Sequence, residues 1–156
     1  MKTSSSDFQT LYTKLSRYCA YQDRCRRDVE MKLQGWNVSK GLIERLIMEL
    51  SKEGYIDDLR FAGSFVRGKF RINKWGKQRI VFELKARKID EQHIKEALKE
   101  IDEVSYMDSI RSLIRKKDLE IKTGKTLNKR EKIINFVVGK GYEIDPVLRM
   151  MNELKK

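Results

Sequence analysis

The acidic and imidazole side chains are the first candidates for catalysis in this chain of 156 residues. Asp57 and Asp58 are adjacent carboxylates, but a general acid and base would also need a cleft and a second catalytic group. They precede a predicted helix, where an aspartate caps free amides and complements the positive helix end. His93, the single histidine, has no serine, cysteine or aspartate arranged with it as a triad. We therefore expect Asp57 and Asp58 to be capping residues, His93 to lie on the surface, and the protein not to be an enzyme.

The usual motifs for nucleotide and metal binding are missing from the sequence. Residues 123–126 read Thr-Gly-Lys-Thr, but without the upstream glycine and preceding strand of a phosphate-binding loop they are better interpreted as a turn. Cys19, Cys25 and His93 lack zinc-finger spacing, and a structural zinc usually needs four ligands. If both cysteines share one helix, their spacing places them on different sides and prevents a disulfide. We expect no metal, no cofactor, and free thiols in a reducing cytoplasm, since no signal peptide is recognisable.

Charge gives the strongest indication of a partner. The chain has 35 Lys and Arg against 23 Asp and Glu, a formal net charge of +12, which favours a polyanion. Residues 66–88 contain nine basic side chains and one acid, and residues 111–140 contain ten and three, so few of these bases have an acidic neighbour to pair with. Residues 91–103 are instead mostly acidic. Because no apolar run approaches a membrane span, nucleic acid or a nucleoprotein is the expected partner.

We predict that the two basic runs contact DNA or a DNA-bound protein. Trp75 lies among the bases of the first run and could stack on a nucleobase, although packing between repeats is the interpretation we favour. The predicted binding residues are Arg67, Lys69, Arg71, Lys74, Trp75, Lys77, Arg79, Arg115, Lys116, Lys117, Lys122, Lys125, Lys129, Arg130 and Lys132.

An internal repeat predicts the elements that must position these side chains. Seven apolar positions recur in register three times. They are Val29, Leu33, Val38, Ile43, Leu46, Ile47 and Leu50, then Ile80, Leu84, Ile89, Ile94, Ala97, Leu98 and Ile101, and finally Ile133, Val137, Tyr142, Val147, Met150, Met151 and Leu154. Their spacing is helical, a further apolar helix precedes each pair, and no stretch alternates as a strand does. We predict an all-α fold of three tandem three-helix repeats at 7–53, 57–103 and 104–156.

Residues that begin and end helices agree with this division. Ser39 and Asp90 occupy matching positions and are predicted to cap the third helix of the first two repeats. Three glycines fall near predicted helix ends, where a residue with positive φ is favoured. They are Gly35, Gly54 and Gly141.

Three stretches of the chain resemble the RecX family, whose members regulate the RecA recombinase. They are Cys25-Arg26-Arg27-Asp28-Val29-Glu30-Met31-Lys32-Leu33, then Gly54-Tyr55-Ile56-Asp57-Asp58-Leu59-Arg60-Phe61-Ala62, and Lys74-Trp75-Gly76-Lys77 followed by Ile80, Glu83-Leu84 and Ile89. We call the second the Asp-Asp motif and residues 74–77 the Trp-Gly motif. The resemblance implies structural roles for Tyr55, Asp57, Asp58, Arg60 and Phe61. Arg87-Lys88 departs from it, because a Lys-Gly turn is common there.

The resemblance also implies what the protein does. It implies a curved, elongated monomer that lies in the groove of the RecA filament on single- or double-stranded DNA, without cofactor or membrane. There it would inhibit strand exchange, ATP hydrolysis and coprotease activity, and so act in homologous recombination, DNA repair and the SOS response. The alternative is a stand-alone basic helical protein of the helix-turn-helix type that binds nucleic acid, since each repeat looks like a three-helix motif.

Overall fold

The chain folds into three groups of three helices. The computed structural model describes residues 5–121 and 128–155, with side chains from residue 7 onward, and all regular secondary structure in those ranges is helical. The helices are α1 (Ser5–Tyr21), α2 (Arg26–Gly35), α3 (Lys40–Lys52), α4 (Asp58–Arg71), α5 (Lys77–Ala86), α6 (Glu91–Leu98), α7 (Glu103–Glu120), α8 (Lys129–Gly139) and α9 (Ile144–Lys155). The all-α prediction is confirmed.

Most helix packing occurs within a group. Helix α3 packs on α1 and α2, α4 packs on α5 and α6, and α7 packs on α8 and α9. We call these groups unit 1 (α1–α3), unit 2 (α4–α6) and unit 3 (α7–α9). The sequence boundaries of the repeats at 7–53, 57–103 and 104–156 stay a prediction. No helix in the described ranges is both long and apolar enough to cross a membrane.

The repeat positions form the core. All seven are buried or half-buried in each unit, as their helical spacing requires. Units 2 and 3 share one continuous core, whereas unit 1 has a core of its own. Cys25 is the exception, because it immediately precedes α2 but packs into the core of unit 2. Burial raises the pKa of its thiol to about 12, so this cysteine is an inert packing group.

The two cysteines do not share a helix, so the premise of the disulfide argument is wrong. Cys19 lies in α1 and packs in the core of unit 1, whereas Cys25 belongs to the other core. Both thiols are free and buried.

The turn between the second and third helices is the same in all three units. Its key residue has a positive φ each time: Asn37 (58°), Lys88 (61°) and Gly141 (104°). In units 1 and 2 the next amide donates back to a carbonyl in the preceding helix, at 3.1 and 3.2 Å. This is the Schellman ending of a helix, in which the residue of positive φ directly follows the C-cap. The prediction for Gly54 (81°) and Gly141 is confirmed, but Gly35 is the last residue of α2 and Asn37 takes the strained position instead.

The predicted caps stand at the right residues. Asp57 accepts a hydrogen bond from the Arg60 amide at 3.0 Å, and Asp90 accepts one from Gln92 at 2.8 Å. Ser39 is the N-cap residue of α3, but its hydroxyl makes no cap hydrogen bond. The sequence therefore predicts where these helices begin more reliably than which side-chain bond is made there.

Candidate nucleic-acid interface

The Asp-Asp motif forms the joint between units 1 and 2. Asp58 Oδ1 accepts a hydrogen bond from the backbone amide of Arg26 at 2.8 Å, so a carboxylate of α4 caps α2 in the neighbouring unit. Arg60 Nε donates to Asp23 Oδ1 at 3.0 Å, and Ser64 Oγ donates to the other oxygen of Asp23 at 2.8 Å. The joint is thus held by a carboxylate, a guanidinium and a hydroxyl that satisfy one another.

The aromatic residues of the same motif anchor it to the cores on either side. Phe61 is buried in the core of unit 2, and Tyr55 packs against the core of unit 1. The Tyr55 carbonyl also accepts a hydrogen bond from the Arg60 guanidinium at 3.3 Å. All five family-like residues of the motif are therefore engaged in capping, pairing or packing.

The Trp-Gly motif forms the joint between units 2 and 3. The Gly76 amide donates to the Lys140 carbonyl at 2.9 Å, and the Gln78 amide donates to the Gly141 carbonyl at 2.9 Å. The two backbones approach so closely that a Cβ on Gly76 would lie 2.3 Å from the carbonyl carbon of Gly141. Glycine is needed here for space.

A buried tyrosine completes this second joint. The Tyr106 hydroxyl accepts a hydrogen bond from the Lys77 amide at 3.0 Å and donates one to the Glu143 carboxylate at 2.9 Å. Its ring centroid lies 5.0 Å from that of Tyr142, whose hydroxyl is 2.7 Å from Ser109 Oγ. Burial, reinforced by the Glu143 carboxylate, raises the pKa of Tyr106 well above its usual range, so the hydroxyl keeps its proton and its bond to Glu143.

A basic groove of about 480 Å³ lies beside this joint, between α4 and α7. We call it the joint groove. Arg71 and Lys74 come from the first basic run, and Lys116 and Lys140 come from the second, so folding brings the two runs together. The groove is lined by Phe70, Arg71, Lys74, Ser105, Asp108, Ser109, Ser112, Leu113, Lys116 and Lys140.

Most of the positive charge in the joint groove is not neutralised by the protein. No ion pair is made by Arg71, Lys74 or Lys116 within the described ranges, and all three are exposed. The one acid among the described lining residues, Asp108, is paired with Arg111 at 3.0 Å. The groove therefore presents a net positive field to an incoming anion.

Other predicted binding residues pack around Trp75. The Lys69 ammonium lies 4.8 Å and the Arg79 guanidinium 4.1 Å from the centroid of its ring. Trp75 is half-buried, and its ring meets Phe65 edge-on at 6.2 Å. Cations cover the indole ring, and the ring also packs against the core of units 2 and 3. Trp75 is therefore a packing group of the second joint.

The other predicted residues that the structure describes do not line the joint groove. Lys77 Nζ sits 4.4 Å from the Tyr106 ring centroid. Arg67 pairs with Glu100 at 3.3 Å, Lys117 with Glu120 at 3.7 Å and Lys129 with Asp118 at 2.8 Å. Three others are exposed and make no ion pair among the described residues: Arg115, Arg130 and Lys132. Lys122 and Lys125, like the turn predicted at 123–126, lie outside the described residues.

His93, predicted to lie on the surface, is partly accessible. It is half-buried in α6, and its Nδ1 is buried without a hydrogen-bond partner in the part of the chain that the structure describes. Across the same residues, no group of three or more His, Cys, Asp or Glu side chains is placed to hold a metal ion.

The sequence predictions missed several lining residues of the joint groove. Lys140 was counted in the basic run but not predicted to bind, and the serines of α7 were not considered. The signal for the serines is their spacing, because Ser105, Ser109 and Ser112 recur at positions that share one helix face. Lys140 directly precedes Gly141, whose positive φ turns the chain at the joint.

Comparisons with known proteins agree along nearly the whole chain. A family model described as "RecX, second three-helix domain" matches residues 57–98. The regulatory protein RecX of Bacillus cytotoxicus is 27% identical over 152 residues, which cover 97% of this chain and 56% of that protein. The one of Prosthecochloris aestuarii is 24% identical over 151 residues and covers 97% of both chains. The chain thus spans about half the length of the Bacillus relatives.

Solved structures share the fold. The crystal structure of RecX from Lactobacillus salivarius matches with a TM-score of 0.87 and 25% identity, over 97% of this chain and 99% of the other. A second crystal structure, of a regulatory protein RecX, matches with a TM-score of 0.85 and 22% identity, over 94% and 73%. The family model covers unit 2, the relatives align along the whole array, and both family-like motifs form its joints. The chain is therefore similar to the regulatory proteins named RecX along nearly its whole length, and its unit 2 matches the second three-helix domain of that family.

Proposed function

We propose that this protein regulates a RecA recombinase by binding its filament on DNA, and that its main effect is inhibition. It would slow strand exchange, ATP hydrolysis and coprotease activity, in homologous recombination, DNA repair and the SOS response. The observation that carries the proposal is the joint groove, in which unpaired cations of both basic runs meet in a chain similar to the RecX regulatory proteins. A filament on DNA offers the polyanion that such a groove favours.

The regulator would act by occupying the filament rather than by chemistry of its own. The carboxylates that looked most like an acid–base pair, Asp57 and Asp58, are each committed to a helix amide. The two thiols are buried, which disfavours their nucleophilic form. We propose a regulator that needs no cofactor, and also that it is a monomer and works in the cytoplasm.

The array offers a long contact surface. Helix α7 alone has 18 residues, or about 27 Å at about 1.5 Å per residue. Three units in series can therefore reach more than one subunit of a filament. In unit 2 the acidic helix α6 carries a charge opposite to that of the joint groove, and we propose that it meets solvent or a basic patch of the recombinase.

A stand-alone DNA-binding protein of the helix-turn-helix type is the second candidate, and the three-helix form of each unit favours it. Such a protein inserts its last helix into the major groove. Here no third helix is strongly basic: α6 exposes Glu91 and Glu96 against Lys95, and α9 carries two acids and two bases, so none has the excess of cations that DNA phosphates would attract. The filament regulator is therefore the better supported function.

The test compares binding with and without the recombinase. The protein is incubated with RecA filaments on single-stranded DNA and, separately, with the bare DNA, and both are sedimented. We expect the filaments to retain more protein than the bare DNA. Equal retention by both, with a preference for one DNA sequence, would support the helix-turn-helix candidate and overturn the filament proposal.

A further inference from the structure

The lining of the joint groove indicates which part of a nucleic acid it meets. We propose that the joint groove is a binding site for the phosphodiester backbone and that it reads no bases. The inference rests on the proposed function, in which the chain works on DNA, and it assigns the contact to one surface and one chemical group. Three properties of the lining carry it: its cations, its hydroxyls and its lack of exposed aromatic, aliphatic or amide side chains.

The cations reach the groove from three separate segments. Arg71 ends α4, Lys74 lies in the following turn, and Lys116 lies in α7. Lys140 precedes Gly141 at the joint, and its ammonium donates to the Asn73 carbonyl at 3.1 Å. This bond fixes Lys140 against the turn that carries Lys74. The second joint therefore brings the cations of these three segments together along the groove.

Hydroxyl groups line the groove beside the cations. Ser105, Ser109 and Ser112 follow one another along a single face of α7. Ser109 is hydrogen-bonded to the Tyr142 hydroxyl, whereas Ser112 is exposed and has no hydrogen-bond partner within the described ranges. Serine hydroxyls together with Lys and Arg are the usual side-chain donors to phosphate oxygens, and they fix a protein on the backbone without reading sequence.

The groove lacks the groups that a base or a peptide would need. Its two apolar lining residues are covered, since Phe70 is 8% and Leu113 is 4% exposed. An aromatic face would stack on a base and an Asn or Gln amide would pair with adenine, and the described lining residues offer neither an exposed aromatic ring nor an amide side chain. An acidic protein partner would need a pocket for an apolar anchor, as interfaces depend on such anchors. A sugar-phosphate backbone needs only cations and donors.

The test measures binding of labelled single-stranded oligonucleotides by fluorescence anisotropy, without recombinase. Two probes of equal length are compared: one of mixed sequence, and one in which every base is missing but all phosphates remain. We expect their affinities to agree within about threefold, because phosphate contacts supply sequence-independent binding. Preference for the mixed-sequence probe by more than about tenfold would overturn the proposal, since it would mean that bases are read.

Two double variants with the same loss of charge locate the site. Lys74→Gln with Lys116→Gln removes two cations of the groove, whereas Lys40→Gln with Lys52→Gln removes two exposed, unpaired cations of unit 1. On single strands, the groove variant should reduce the slope of log K against log salt by about 1.4, that is about 0.7 per lost phosphate contact. The unit 1 variant should leave the slope unchanged. Equal reductions in both would mean diffuse attraction and overturn the proposal.

Two further measurements separate the other outcomes. Ser112→Ala keeps every charge and should still weaken binding about threefold, as the loss of one hydrogen bond predicts. A competition experiment uses poly-glutamate and unlabelled DNA to displace the base-free probe. If poly-glutamate competes as effectively as DNA, the groove is an acidic-peptide site and the proposal is overturned. If the groove variant binds DNA normally yet wild type still inhibits RecA, this inference fails while the proposed function stands. Thermal unfolding of each variant checks that it folds.

Discussion

The buried side chain of Tyr106 connects units 2 and 3 through hydrogen bonds on both sides of the joint between them. It is 1% exposed, and its hydroxyl joins the first amide of α5 in unit 2 to Glu143 in unit 3. Its ring lies between Phe70 and Tyr142, with centroids at 6.0 and 5.0 Å. One side chain thus connects the start of a helix in unit 2 to the segment between α8 and α9 in unit 3.

Removing the Tyr106 hydroxyl should therefore destabilise the protein. Tyr106→Phe keeps the ring but leaves the Lys77 amide without a partner, so we expect the free energy of unfolding to fall by about 1–3 kcal/mol. Urea denaturation measures it. Tyr18→Phe is the matched control, because the Tyr18 ring carries cations but its hydroxyl makes no hydrogen bond to any residue that the structure describes. Its effect should stay within about 0.5 kcal/mol. Equal effects of the two variants would contradict the role of Tyr106.

Lys88 shows how one residue can depart from a family pattern. It stands where the resemblance expects glycine, and it adopts φ 61°. A non-glycine residue is strained in this conformation. We expect Lys88→Gly to stabilise the protein by about 0.5–1 kcal/mol, because relief of about 1–2 kcal/mol of left-handed strain exceeds the extra entropy that glycine loses on folding. Thermal unfolding should show a smaller gain for Asn37→Gly, because asparagine tolerates positive φ. A loss of stability in Lys88→Gly would refute this account of the turn.

At the scale of elements, the sequence could predict the helices but not the joints between them. The helical spacing of Val29, Leu33 and their counterparts defines faces that must be buried, and they are. Asp57 and Asp58 were predicted to cap one helix, because adjacency along the chain is all that a sequence shows. In the structure Asp58 caps α2 of unit 1, and such a contact depends on how the units pack.

The glycine of the second joint provides a test at this scale. Gly76→Ala places a Cβ within 2.4 Å of three backbone atoms of Gly141 and Tyr142, so the joint must open. We expect the free energy of unfolding to fall by at least about 3 kcal/mol, the upper end of the usual range for one substitution. Gly68→Ala is the control, because a Cβ there meets no atom within 4 Å. Inside α4 it should stabilise by about 0.5–1 kcal/mol. Thermal unfolding of both variants measures the difference. If Gly76→Ala lowered the stability by less than about 1 kcal/mol, the described joint would be contradicted.

At the scale of the whole molecule, the basic side chains behind the net charge of +12 have different roles: some pack or pair within the protein, and others remain free to bind an anion. The sequence predicted which stretches are basic. It could not predict which cations remain free, because that depends on three-dimensional neighbours: Lys69 and Arg79 lie on Trp75, and Arg67 meets Glu100. Arg71, Lys74 and Lys116 come together only when unit 3 packs on unit 2. The joint groove is therefore a product of the array and not of either basic run.

The most direct test of this account is RecA-catalysed strand exchange, followed together with DNA-dependent ATP hydrolysis, as the protein is titrated. Wild type should slow both reactions at substoichiometric amounts. The variant with Lys74→Gln and Lys116→Gln should need at least about tenfold more protein, the factor that corresponds to about 1.4 kcal/mol of binding, while the variant with Lys40→Gln and Lys52→Gln should match wild type. Unchanged rates at equimolar wild-type protein would contradict the proposed function.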